Sequence, residues 1–212
     1  MRKWIPGVFV AAAYAFSAAV YSRLPARVPS HWGMHGVNGY TPRAAAAVML
    51  PTLALIVWAL MRWLPSIDPR RANYARFQSS YDAVVVAIVA LVTALHVVML
   101  GIALGWPLRM EVVAPAAVGA MFLVVGNVLP RARPNWFFGI RTPWTLSSDH
   151  VWERTHRVGG WVMTACGVVV IAAAFVGNQA AVIAITAMVP VMLVGVVGYS
   201  YVLWRREQRG QR

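Results

Sequence analysis

Three sets of polar side chains have the types and spacing that chemistry requires. Asp149, Glu153 and His156 fall within two helical turns, and two carboxylates with an imidazole are the types that exchange protons; Arg141 nearby could bind an anion. His31 and His35 are spaced i, i+4, which on a helix would align two metal ligands. His96 and Asn127 stand inside long apolar runs, where polar groups are costly and therefore candidates for a transport path or small-molecule site. Each set also has a plainer reading. The chain has no HExxH, no nucleophile with an evident base and no phosphate-cradling glycine loop. Around His31 and His35 the glycines disfavour a helix, and no nearby Cys, Asp or Glu completes a ligand set. His96 is accounted for by a neutral imidazole hydrogen-bonded between helices, with no carboxylate beside it for a proton relay. The lone Cys166 reads as a small buried apolar residue. The expectation is a protein that is not an enzyme and takes no cofactor. A metal-dependent membrane enzyme and a transporter or small-molecule receptor are the alternatives.

The elements that must carry these residues are membrane spans. Apolar residues make up 60% of the 212 and charged residues 12%, against roughly half and a quarter in soluble domains. Six apolar stretches approach the ~20 residues that a spanning helix needs: Trp4–Tyr21, Ala44–Leu64, Ala83–Leu104, Val112–Leu129, Val158–Val176 and Ala180–Leu203. The first has Arg2 and Lys3 ahead of it, as a signal peptide would, but its aromatic residues and length make it a span. With the N-terminus inside, fifteen of the nineteen Lys and Arg fall on the cytoplasmic side, which favours both termini there. The +13 net charge is thus an orientation signal rather than a nucleic-acid footprint. Most tryptophans lie near span ends, as interfacial anchors do. Pro51, Pro115 and Pro190 can kink their spans, and Gly195 and Gly198 permit close helix approach. The fold class expected is an all-α integral membrane protein with six transmembrane helices, N-in/C-in, and interfacial helices before spans three and five. Residues 1–64 form a first helix pair with a structured outer loop at 22–43, and residues 65–212 a four-helix region with a cytoplasmic loop at 130–160.

Two of the loops stand out. In the outer loop, Pro25, Pro29, Gly33, Gly36, Gly39 and Pro42 favour successive turns. In the loop at 65–82, Tyr74, Phe77 and Tyr81 share one face of an amphipathic helix expected to lie on the headgroups, with Arg70, Arg71 and Arg76 toward anionic lipid. The longest polar stretch is Pro134–Gly160. Thr142-Pro143 excludes helix at Thr142, Ser147 or Ser148 is a natural N-cap, and Glu153 with Arg157 forms a favourable i, i+4 pair. Asp149, Trp152, Glu153 and His156 share a face, and Gly159-Gly160 mark a bend or close packing before the span.

Asn135, Gly139-Ile140-Arg141-Thr142-Pro143-Trp144-Thr145-Leu146, Trp152, Thr155-His156-Arg157 and Gly159-Gly160 resemble the signature of the SdpI family of bacterial six-helix membrane proteins. Asp68-Pro69, Asn73-Tyr74, Phe77, Tyr81 and Gly126-Asn127 extend the resemblance. The outer loop, with Pro25, Pro29, His31, Gly36 and Gly39-Tyr40, is similar to the small domain of unknown function that commonly precedes the signature. The resemblance implies immunity to a secreted membrane-active peptide toxin, with signalling by recruitment of a cytoplasmic repressor. It implies outer contacts at His31, Trp32, His35, Gly36 and Tyr40. It also implies a cytoplasmic docking surface shaped by Asn135, Gly139, Arg141, Thr142, Thr145, Trp152, Glu153, His156 and Arg157.

Overall fold

The computed structural model describes residues 4–33 and 36–210. Among these residues, six helical elements are long and apolar enough to cross a membrane. They are α1 (Ile5–Val20), α2 (Arg43–Ile67), α3 (Gln78–Ala103), α4 (Met110–Val128), α6 (Asp149–Val176) and a last element beginning with α7 (Asn178–Pro190). A five-residue α5 (Pro143–Ser147) precedes α6, and α8 (Gly198–Gly210) completes the sixth element. Local sequence sets the boundaries. Pro6 opens α1 at a position where its missing N–H is no loss, and α2 ends at Asp68, ahead of Pro69. Gly105, at φ +88, closes α3; Trp106 N–H donates to the Gly101 carbonyl and Gly105 N–H to that of Ile102, a Schellman motif.

Pro51 and Pro115 lie within continuous helices. Pro190 instead ends α7 and is followed by a π-helical turn at Val191–Val197.

The tightest seam joins α4 to α6, and glycine explains it. A Cβ on Gly126 would lie 2.7 Å from the Gly160 carbonyl oxygen, and one on Gly160 would lie 2.7 Å from that of Gly126. Gly119 and Gly167 repeat the same reciprocal contact one heptad away. Because lipid tails are as apolar as leucine, close backbone packing rather than burial holds such helices together. Gly195 and Gly198, expected to permit close approach, have no heavy atom within 4 Å of their Cβ positions.

The loop expected outside, at 22–43, is not a set of turns. It is an antiparallel hairpin, β1 (Arg27–Gly33) with β2 (Gly36–Pro42), irregular in register between Pro29 and Trp32. Buried Val28 roots it among Val20, Leu24, Ala46, Met99, Leu100 and Met110. At the opposite end of the bundle, Tyr74, Phe77 and Tyr81 cluster with Phe138, Leu129 and Trp152. The periodicity of these three aromatics marks an apolar face correctly, but its destination differs from the headgroup surface expected. Tyr74 ends up in a 3₁₀ turn (Arg71–Arg76), and the face turns into the protein.

Candidate functional site

The signature stretch folds as a compact loop built on buried polar side chains. Asn135 is fully buried at its centre. Its amide nitrogen donates to the carbonyls of Arg133 (2.8 Å) and Phe138 (2.9 Å), and its oxygen accepts from the N–H groups of Phe137 (3.0 Å) and Phe138 (2.6 Å). The chain then reverses at Gly139, φ +117, where a Cβ would lie 2.3 Å from His156 Nε2. Glycine is needed there for both conformation and space.

Beyond the reversal, Thr142 caps α5. Its hydroxyl accepts from Thr145 N–H (3.2 Å) while Thr145 Oγ1 accepts from Thr142 N–H (2.9 Å), a capping box with Pro143 in the first turn. Thr145 Oγ1 also reaches the Ile140 carbonyl at 2.8 Å, tying α5 back to the loop. Ser148 then caps α6 through Val151 N–H, and Asp149 occupies the first turn, where the helix dipole favours a carboxylate.

Trp152 and His156 are completely buried and stacked, ring centroids 3.9 Å apart. Trp152 Nε1–H donates to the Ala132 carbonyl at 2.9 Å. The bonds to His156 fix its protonation. Ile140 N–H points at Nε2 (3.0 Å), which must accept, while Nδ1 faces the Trp152 carbonyl (2.8 Å) and must donate. A neutral imidazole with its proton on Nδ1 is the form that suits both partners. His156 therefore works as a clamp on the loop backbone rather than as an exposed acid or base.

A second loop completes the site. Asp68 is buried, and its carboxylate accepts from Arg70 N–H (2.7 Å), Trp136 N–H (2.9 Å) and the Tyr74 hydroxyl (3.0 Å). Tyr74 also lies 3.2 Å from Asn135 Oδ1, so its single proton sits between two acceptors. Asn73 Nδ2 donates to the Pro134 carbonyl at 2.7 Å. The arginines do not all reach for lipid: Arg70 bridges to Asp149 (3.4 Å) and the Leu146 carbonyl (3.1 Å). Glu153 pairs with Arg133 rather than in the expected intrahelical pair with Arg157.

Burial and the Asp68 carboxylate push the Tyr74 phenol far above its ordinary value. The unfolded chain loses this proton above pH ~10 while the folded chain keeps it, so stability falls as pH rises through and beyond that value. Asp68→Asn removes a negative charge and should bring the phenol down toward normal. Tyrosinate absorbance during alkaline titration reads this directly; an unchanged titration in Asp68→Asn would show that the carboxylate does not govern Tyr74.

The expected surface residues thus divide. Asn135, Thr142, Thr145, Trp152 and His156 are buried and shape the loop, whereas Arg141, Glu153 and Arg157 are exposed. Arg141 itself donates to the Trp136 carbonyl at 2.6 Å. The shared face of Asp149, Trp152, Glu153 and His156 is split by the protein boundary, carboxylates out and rings in. In the sequence Asp68 stands out only as part of the Asp68-Pro69 pair that extends the resemblance; nothing local shows that it accepts bonds from three directions.

Polar residues outside these two loops are dispersed. His96, fully buried on α3, lies 2.7 Å from Ser17 Oγ on α1, and Ser17 donates onward to the Ala47 carbonyl on α2 (2.7 Å). Asn127 is exposed on α4, so the two do not share a chamber. At the far end, His31 bonds Asn38 across the hairpin, Tyr40 is exposed, Trp32 is half-buried, and Gly36 (φ +102) makes the turn. His35 lies outside the described residues, and with it the geometry of the His31/His35 pair. Among the described residues no three His, Cys, Asp or Glu side chains converge.

Comparison with known proteins agrees with this architecture. Residues 131–202 match the SdpI/YfhL protein family, and residues 8–55 match a domain of unknown function, DUF1648. The chain is 22% identical over 187 residues to Immunity protein SdpI of Bacillus subtilis (strain 168), covering 88% of each chain. No solved structure matches. The family region contains the whole buried loop, from Arg131 through Asn135 and His156 to Ser200. The chain is thus a multi-pass membrane protein in which a region similar to the SdpI/YfhL family follows a DUF1648-like region.

Proposed function

We propose that the protein confers immunity to a secreted, membrane-active peptide toxin and also signals its presence by recruiting a cytoplasmic repressor. The carrying observation is that the chain has an ordered surface at each end of the bundle, the hairpin at one and the signature loop at the other. In a bacterial cytoplasmic membrane the arginine distribution favours the signature loop and both termini inside, and the hairpin outside. Residues 1–64 then form the toxin-facing unit and residues 65–212 the signalling unit. A two-stranded sheet leaves one edge of each strand unpaired, and such edges accept extended peptides. Trp32 and Tyr40 flank those edges. On the inner side Arg141, Glu153 and Arg157 offer charged contacts to a protein partner; DNA is not contacted directly. The role is non-enzymatic.

Deleting the gene should sensitise the parent strain to the toxin. Trp32→Ala with Tyr40→Ala should lower the tolerated toxin concentration roughly tenfold, as loss of aromatic anchors does at interfaces. Arg141→Ala with Arg157→Ala should leave protection in place and abolish toxin-dependent relief of repression, read with a transcriptional reporter. Unchanged sensitivity on deletion, across the peptides the strain encounters, would overturn the immunity reading.

A further inference from the structure

Beneath the hairpin lies a cleft, with Trp32 in its roof. Its apolar chamber, about 410 Å³, is walled by residues of β1, α2, α3, α4 and α7, among them Met49, Leu95, Met99, Ala114 and Val182. This lies within the ~300–1,000 Å³ typical of small-molecule sites. Met49 and Val182 are themselves exposed, so the chamber opens sideways, toward the surrounding lipid. An adjoining chamber of about 520 Å³ is lined by Val37, Leu108, Arg109 and Glu111. Trp32, Met110, Glu111 and Asn178 border both.

The charges on this rim narrow the occupant. Glu111 is half-buried, and among the described residues the two ion pairs are Arg70–Asp149 and Arg133–Glu153, neither of which includes it. Arg109, two residues away, faces the same chamber with the opposite sign. A ligand that satisfies both must carry a cation and an anion next to an apolar chain. Because the chamber opens to the bilayer, that ligand is a lipid with a zwitterionic headgroup. An acidic lipid leaves Glu111 facing like charge. A quaternary ammonium has no N–H to give, whereas a primary ammonium offers three donors to a carboxylate.

We propose that this cleft binds one phosphatidylethanolamine molecule, with an acyl chain in the apolar chamber, its ammonium on Glu111 and its phosphate on Arg109. Trp32 of the hairpin borders both chambers, but the proposal stands independently of the immunity reading because the charges it turns on, Arg109 and Glu111, lie at the start of α4 and not on the hairpin. In the membrane it fills the gap between α2 and α7 and ties the loop before α4 to the hairpin roof.

The test uses the full-length protein in nanodiscs of equal parts phosphatidylethanolamine, phosphatidylglycerol and phosphatidylcholine with matched acyl chains, released for native mass spectrometry. One phosphatidylethanolamine should be retained per chain. Glu111→Gln, nearly isosteric, should reduce its preference over phosphatidylcholine about tenfold, the factor expected for one charge-assisted hydrogen bond. Ala114→Trp should fill the chamber and abolish retention of any lipid. Equal retention of all three lipids, no retention at all, or a preference surviving Glu111→Gln would each overturn the site. Should Ala114→Trp not fold, the Glu111→Gln comparison decides alone.

Discussion

Gly126→Val is expected to be the most damaging single substitution in the membrane-spanning part of the protein. The new Cβ alone would fall 2.7 Å from the Gly160 carbonyl oxygen and 2.8 Å from the Thr164 amide nitrogen. Both are backbone atoms, so no rotamer change relieves the clash, and α4 must move away from α6. The movement also separates Gly119 from Gly167, because the four glycines form one continuous seam. Overpacking in a well-packed interior costs about 1–3 kcal/mol, and a clash against backbone belongs at the top of that range. Gly195→Ala is the control. Nothing stands within 4 Å of its Cβ position, and alanine is favoured over glycine in a helix by about 1 kcal/mol. Thermal inactivation in detergent should therefore fall sharply in temperature for Gly126→Val and stay level or rise for Gly195→Ala. Equal behaviour of the two would mean that the seam does not hold the bundle.

The second large effect is expected from Asn135→Leu. The side chains are similar in size, so the loss is one of hydrogen bonding rather than volume. Two carbonyls and two N–H groups in the loop lose their partner, and Tyr74 loses one of its two acceptors. A buried group left unpaired costs about 1–3 kcal/mol, so the loop should come apart locally by several times that figure. Its aromatic residues Trp136, Phe137 and Phe138 then become chymotrypsin sites. Limited proteolysis of membrane vesicles with this face outward should cut Asn135→Leu within 136–138 at a protease level that leaves the parent intact. Persistent resistance would show that Asp68 and His156 hold the loop without Asn135.

The spans were legible because twenty apolar residues in succession have few other uses, and each of the six expected stretches lies, to within one residue at an end, inside a helical element long enough to cross. Partners were harder to read. Tyr74, Phe77 and Tyr81 announce an apolar face by spacing, but lipid and protein cover such a face equally well, so the periodicity cannot name the cover. The hairpin is hidden in the sequence because Pro29 and the closely spaced glycines interrupt the alternation that marks a strand. The face containing Asp149 and His156 failed in a narrower way. At ~100° per residue, Trp152 and His156 fall on one side of Asp149 and Glu153 on the other, and the protein boundary passes between them. The Gly126–Gly160 contact pairs residues from two helices, information that no local window holds.

The bond from Trp136 N–H to Asp68 joins residues 68 positions apart, and this separation dictates an order of assembly. At ~5–20 residues per second, synthesis of the intervening chain takes roughly 3–14 s. Through that interval the nascent protein already has its first two spans, but the loop after them lacks acceptors and donors from a segment not yet made. The aromatic cluster at Tyr74 and the turn at Asn135 can close only after α4 has been threaded and the ribosome has passed Phe138. The part of the chain that carries the family signature is thus the latch of the folding process, closed late and across two loops at once.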